Sequence, residues 1–235
     1  ELDDLAAFGL YYPYEDVERI RIWIAEGNIE EAVSMAESLR ERYADDCYID
    51  SYTGKAYYAG DRKEEAYELW QKVLKVKPDY YQAKIGVVQY LMDQKDFYHA
   101  KERLTEILDL SYDEEALTLL RQVNEELIRD YKDKLNNGIE DANLPSGEMA
   151  VEIGWCLYQN EQIEEAISYV ESFEPVPEQE YSYTNLYGRL LHQNGQHEKA
   201  RPYLEKWLKL IEETVDDGTE ENKRRISRKG RAAHT

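Results

Sequence analysis

The side chains able to do acid–base, nucleophilic or metal chemistry are sparse and poorly grouped. Four histidines, His99, His192, His197 and His234, show no paired metal-ligand spacing on one helix face, and His192 and His197 flank an expected turn. Cys47 and Cys156 stand far apart, with no zinc or redox spacing and no histidine close in sequence. Cys156, beside Trp155, reads as a small packed residue. Adjacent carboxylates recur as Glu30–Glu31, Glu64–Glu65 and Glu164–Glu165, each just after a turn such as Gly27-Asn28, Gly60-Asp61 or Asn160-Glu161. Acids in the first turn of a helix are stabilised by the unsatisfied amides there, and neighbours in sequence point different ways, so these pairs are expected to be structural. No glycine-rich phosphate loop and no nucleophile elbow is present. The expectation is a protein without catalytic residues, metal or cofactor.

The elements that would position these residues show themselves as a repeat. Ala32, Ala66 and Ala100 lie 34 residues apart, as do Ala166 and Ala200, and Gly154 and Gly188. The clearest unit, Cys47 to Tyr80, carries Gly54, Tyr57, Ala66, Trp70, Val73 and Pro78. Gly54 and Ala66 would allow close helix approach, Tyr57 would fill the gap above Gly54, and Pro78 would stop the second helix. Pro13 to Asp46 repeats the pattern with Ile20, Trp23, Ala32, Ala36 and Leu39, and Tyr81 to Glu114 with Val88, Leu91, Ala100, Leu104 and Ile107. Ala44 and Tyr112 replace the proline in these two units.

This pattern resembles the tetratricopeptide repeat family, whose units are helix–turn–helix pairs that cannot bury their apolar faces alone. The resemblance implies an all-α fold, a right-handed superhelical solenoid of antiparallel helix pairs. We divide the chain into a lead-in, 1–12; three units, 13–114; a degenerate helical unit and loop, 115–146; two units, 147–214; and a basic end, 215–235. In the degenerate part Ala116, Leu117, Leu120, Val123, Leu127, Tyr131 and Leu135 form an apolar stripe that predicts a long helix or a degenerate helix pair. Pro175-Val176-Pro177 reads as a linker between the last two units.

In the family, the first helix of each unit lines a concave groove. By that resemblance the clearest unit offers Tyr48, Ser51, Lys55, Tyr58 and Ala59 as exposed groove positions. The same offsets give Tyr14, Val17, Arg21 and Ile24, then Gln82, Ile85, Gln89 and Met92. After the break come Glu148, Val151, Trp155 and Tyr158, then Ser182, Asn185, Arg189 and His192. Aromatic side chains with isolated cations are the composition of binding hot spots. The candidate groove residues are Arg21, Tyr48, Lys55, Tyr58, Gln89, Met92, Trp155, Tyr158, Arg189 and His192. The implied function is a non-catalytic scaffold or adaptor for a peptide or protein segment. The alternative is a structural or self-associating module supporting an enzyme or chaperone domain outside this sequence, which leaves homo-oligomerisation open. The clamp with which related domains grip acidic chaperone tails is not expected: Val17, Arg21, Tyr52, Gln82 and Gly86 fall at its positions, and only Arg21 has the required charge.

Composition bounds the partners. The net charge is −21, and residues 223–235 hold Lys223, Arg224, Arg225, Arg228, Lys229 and Arg231 without an acid, so the body before them is more acidic still. Such a surface repels phosphate backbones and anionic lipid, and no apolar run could span a bilayer, so neither nucleic acid nor membrane is an expected partner of the body. Two cysteines suit a reducing, cytoplasmic setting better than a secreted one. The chain begins with Glu1 and reads as a piece of a longer protein. For its basic end we weigh a nuclear address or nucleic-acid arm, a tail docking on an acidic surface, and a truncated further repeat helix, and we favour the last because Ser227, Gly230, Ala232 and Ala233 are small.

Overall fold

The computed structural model describes residues 13–141, 144–173, 175 and 179–212. The lead-in, most of the proline linker, the basic end and His234 lie outside the described residues. Among the described residues the protein is all-α, with eleven helices and no strand. They are α1 (Tyr14–Glu26), α2 (Ile29–Arg42), α3 (Cys47–Ala59), α4 (Lys63–Val76), α5 (Tyr81–Asp93), α6 (Phe97–Leu108), α7 (Glu114–Asn137), α8 (Ser146–Gln159), α9 (Ile163–Val170), α10 (Glu180–Gln193) and α11 (His197–Glu212). The described residues form two compact units, one ending at Ile107 and the other starting at Leu108.

In the first unit consecutive helices from α1 to α5 pack in order, and α3 also touches both α1 and α5. First helices of successive pairs are therefore neighbours, with second helices behind them. The second unit repeats the arrangement from α7 to α11, with α8 against α10. The stripe after Glu115 is one 24-residue helix, α7, started by Asp113, whose carboxylate accepts from the Ala116 amide at 2.7 Å. Its length follows from the unbroken apolar spacing and from Gly138, which takes the left-handed conformation only past Asn137.

The paired helices reverse through one repeated turn. Five residues before each repeat alanine the backbone is left-handed: Gly27 (φ +82°), Asp61 (+59°), Lys95 (+59°), Glu161 (+62°) and Gly195 (+74°). Each turn closes with two amide bonds onto the ending helix, as where Lys95 N–H donates to the Met92 carbonyl at 3.0 Å and Asp96 N–H to Leu91 at 2.9 Å. Those bonds satisfy carbonyls the helix end would otherwise leave open. The alanines that follow are buried completely or nearly so, because the facing helix lies where a longer side chain would go.

The tightest packing in the first unit surrounds Trp70 of α4, which is fully buried. A Cβ on Gly54 would sit 2.5 Å from the Trp70 Nε1, and one on Gly86 only 2.3 Å from its Cε2. The indole is thus a slab between two bare patches of backbone, one on α3 and one on α5. Its N–H donates to the Ser51 carbonyl at 3.1 Å. Trp70, rather than Tyr57, covers Gly54; the Tyr57 hydroxyl instead donates to Glu37 at 3.2 Å. In the second unit Leu204 fills the same kind of gap at Gly188.

Behind α3 the buried Asp50 carboxylate accepts from Arg40 Nε at 2.9 Å and Lys72 Nζ at 3.0 Å, tying α2, α3 and α4 together. Lys72 also reaches Asp45 at 2.6 Å. These groups line an open cleft of about 400 Å³ with Glu37, Glu41 and Ala44.

Candidate functional site

Each unit presents the faces of its first helices separately. In the first unit Tyr14 of α1 is 60% exposed and meets Tyr48 of α3 edge-on, ring centroids 5.6 Å apart. Tyr48 leans on Tyr52 one turn later, at 4.9 Å. The Lys55 ammonium lies 5.4 Å from the Tyr52 ring centroid and donates to Gln82 Oε1 of α5 at 2.6 Å. Three helices are joined by this row of tyrosines ending in a lysine. Burial pushes the Tyr48, Tyr52 and Tyr80 phenols up, Tyr80 to about 12. These hydroxyls therefore remain donors at neutral pH.

A second group stands at the other end of α3 and α5. The Tyr58 hydroxyl donates to the Asp93 carboxylate and, at 3.3 Å, to the Gln89 backbone carbonyl. Asp93 also pairs with Lys63 at 2.8 Å. Burial first, then donation to Asp93, holds the Tyr58 phenol well above its ordinary range. Lys63 first, then Tyr58, holds the Asp93 carboxyl below its own. Gln89 and Met92 are half-buried beside this group on α5.

In the second unit Trp155 and Tyr158 of α8 meet edge-on at 5.7 Å, both half-buried. On α10 the Arg189 Nε donates to Asn185 Oδ1 at 2.8 Å, and its guanidinium lies 5.7 Å from the Trp207 ring centroid of α11. His192, at the end of α10, is exposed.

Two sequence expectations need correction. Val17, Ser51, Ile85, Val151 and Asn185, taken as exposed groove positions, are all buried, because within each compact unit the first helices of successive repeats pack directly on one another and this register faces the neighbour. The cations are also not isolated. Arg21 pairs with Glu18 at 2.8 Å, Lys55 holds Gln82 and Arg189 holds Asn185. A guanidinium or ammonium beside a carboxylate or amide gains a charge-assisted bond. Two members of these groups escaped sequence reasoning. Tyr52 follows Tyr48 by one turn, and Asp93 follows Gln89 by one turn, so helical spacing held the signal for both.

Among the described residues no three His, Cys, Asp or Glu side chains are grouped to hold a metal ion, and no helix is long and apolar enough to cross a membrane. Cys156 is fully buried and Cys47 partly so.

Family models described as tetratricopeptide repeat match residues 52–80 and 154–213, one stretch in each unit. The chain carries tetratricopeptide repeats. The first match runs from the buried Tyr52 to Tyr80 and includes Trp70 and Ala66. The second begins at Gly154 and takes in α9 to α11. Among solved structures, MamA from Desulfovibrio magneticus RS-1 is 16% identical, with 86% of this chain and 98% of that one covered and a TM-score of 0.35. A tetratricopeptide repeat protein from Parabacteroides merdae is 14% identical, covering 89% and 80%, with a TM-score of 0.41. No curated protein matches the sequence significantly.

Proposed function

We propose that this repeat protein is a protein-interaction scaffold that holds a peptide or protein segment against the exposed faces of its first helices. The observation that carries this reading is the row of exposed Tyr14 with half-buried Tyr48 and Lys55, backed by the buried Tyr52, which spans α1 and α3 and reaches Gln82 on α5. Rigid phenol rings offer contact area at low entropic cost, and their hydroxyls can bond to peptide groups. Because Lys55 and Arg21 already have partners, a ligand must compete with Gln82 and Glu18 for them, which favours recognition by surface fit over capture of a strong negative charge. Trp155, Tyr158 and Arg189 give the second unit a comparable face.

The test is affinity capture with the wild-type chain and with an Arg21, Tyr48, Trp155, Arg189 quadruple-alanine variant, read by mass spectrometry beside a circular-dichroism melt. A partner lost by a variant that still melts cooperatively supports the reading. An unchanged partner list moves the interface off these faces, and a wild-type chain that captures only itself favours a self-associating module.

A further inference from the structure

His192 and His197, five residues apart, are brought together by the turn between α10 and α11. Gly195 takes a left-handed φ of +74°, its N–H donates to the His192 carbonyl at 3.0 Å, and Gln196 N–H closes onto Leu191 at 2.8 Å. That reversal stacks the last turn of α10 beside the first turn of α11. The two Nδ1 atoms come within 3.1 Å, and the ring centroids lie 4.8 Å apart. Both side chains are exposed.

From this geometry we propose that the α10–α11 turn is a two-histidine site for a late first-row divalent cation, with Zn2+ as the test ion. Two nitrogens at 3.1 Å, each bonded to one metal at about 2.0–2.1 Å, subtend roughly 95–102° at the ion. That lies between the cis angle of a tetragonal site and the tetrahedral angle, a range Zn2+, Ni2+ and Cu2+ accept with imidazole donors. Only one proton can sit between facing nitrogens, and a cation supplies what both lone pairs want. Exposure leaves the remaining coordination positions to water or to a donor from a bound molecule. The ion would clip α10 to α11 and so stiffen the turn beside the second unit's candidate face, where Arg189 lies one turn before His192.

The experiment is Zn2+ titration of the whole chain by calorimetry, in excess Mg2+ so that carboxylates on this acidic protein are already occupied, with imidazole signals followed by nuclear magnetic resonance. The expected result is one Zn2+ equivalent that shifts both rings and raises the melting midpoint. Affinity should fall tenfold or more in His192→Gln or His197→Gln, and remain at the wild-type value in His99→Gln, whose ring pairs with Asp96 instead. The metal-free melts of all variants should match wild type, since both rings are on the surface. Wild-type protein that fails to bind Zn2+, or binding that survives the His192→Gln, His197→Gln double substitution, overturns the proposal.

Discussion

Replacing Gly86 by Ala sets two magnitudes of opposite sign against each other. In a helix interior Ala is favoured over Gly by about 1 kcal/mol, so on propensity alone the substitution should stabilise α5. The new Cβ, however, would stand 2.3, 2.4 and 2.6 Å from three atoms of the Trp70 ring. Comfortable carbon contacts begin near 3.5 Å, so the indole must retreat by about 1 Å. Its room for retreat is small, because the ring also lies against α3, where even a Cβ on Gly54 would stand 2.5 Å from its Nε1. Retreat also stretches the bond from the indole N–H to the Ser51 carbonyl, worth about 1 kcal/mol. Overpacking of this kind costs about 3 kcal/mol, so the net loss is expected to be about 3 kcal/mol, or roughly 10–20 °C in melting midpoint for a unit of this size. Urea denaturation of wild type, Gly86→Ala, Trp70→Ala and the double variant forms the test. Trp70→Ala alone should cost about 3–5 kcal/mol. In that background the clash is gone, and Gly86→Ala should become neutral or stabilising by up to about 1 kcal/mol. A Gly86→Ala protein as stable as wild type, or costs that simply add in the double variant, would refute the sandwich.

Asp50→Ala should destabilise by about 2 kcal/mol, below the cost of opening a fully buried pair because Arg40 and Lys72 reach solvent; a chemical denaturation curve within 0.5 kcal/mol or so of wild type would contradict that role. Lys95→Gly should stabilise by about 0.5–1 kcal/mol, since a side chain at φ +59° is strained and the equivalent turns use Gly27 and Gly195; thermal melts decide it. At high pH the tyrosines set the limit. The folded state holds the Tyr80 proton more tightly than the unfolded chain does, so its contribution is complete below pH 10 and is lost as pH climbs through about 12. Tyr48, Tyr52, Tyr169 and Tyr183 shift in the same direction by burial. Melting midpoints should therefore fall together with the rise of tyrosinate absorbance, and a midpoint unchanged across that window would be inconsistent with buried phenols.

The repeat was legible in the chain because its steric demands are local. An alanine must stand where two helices nearly touch, and a turn must reverse the chain five residues before it, so Ala32, Ala66, Ala100, Ala166 and Ala200 announce the helix pairs without any knowledge of distant contacts. The turn itself was half legible: Gly27 and Gly195 declare a left-handed backbone and Asp61 tolerates one, whereas Lys95 and Glu161 adopt it against their own preference because the packed helices on either side impose it. Helical spacing also placed Tyr48, Lys55 and Tyr58 on one helix, and Trp155 with Tyr158 on another. What helical spacing could not decide was which residues of such a face stay open, since that depends on how closely the next first helix approaches; Ser51 and Val151 are buried for that reason. Nor could it choose partners across helices. That Lys55 would meet Gln82, that Asp93 would take both Tyr58 and Lys63, and that His192 would face His197 are consequences of side chains from separate helices sharing one volume. One helix's sequence determines its own faces; only the stacked helices determine what those faces touch.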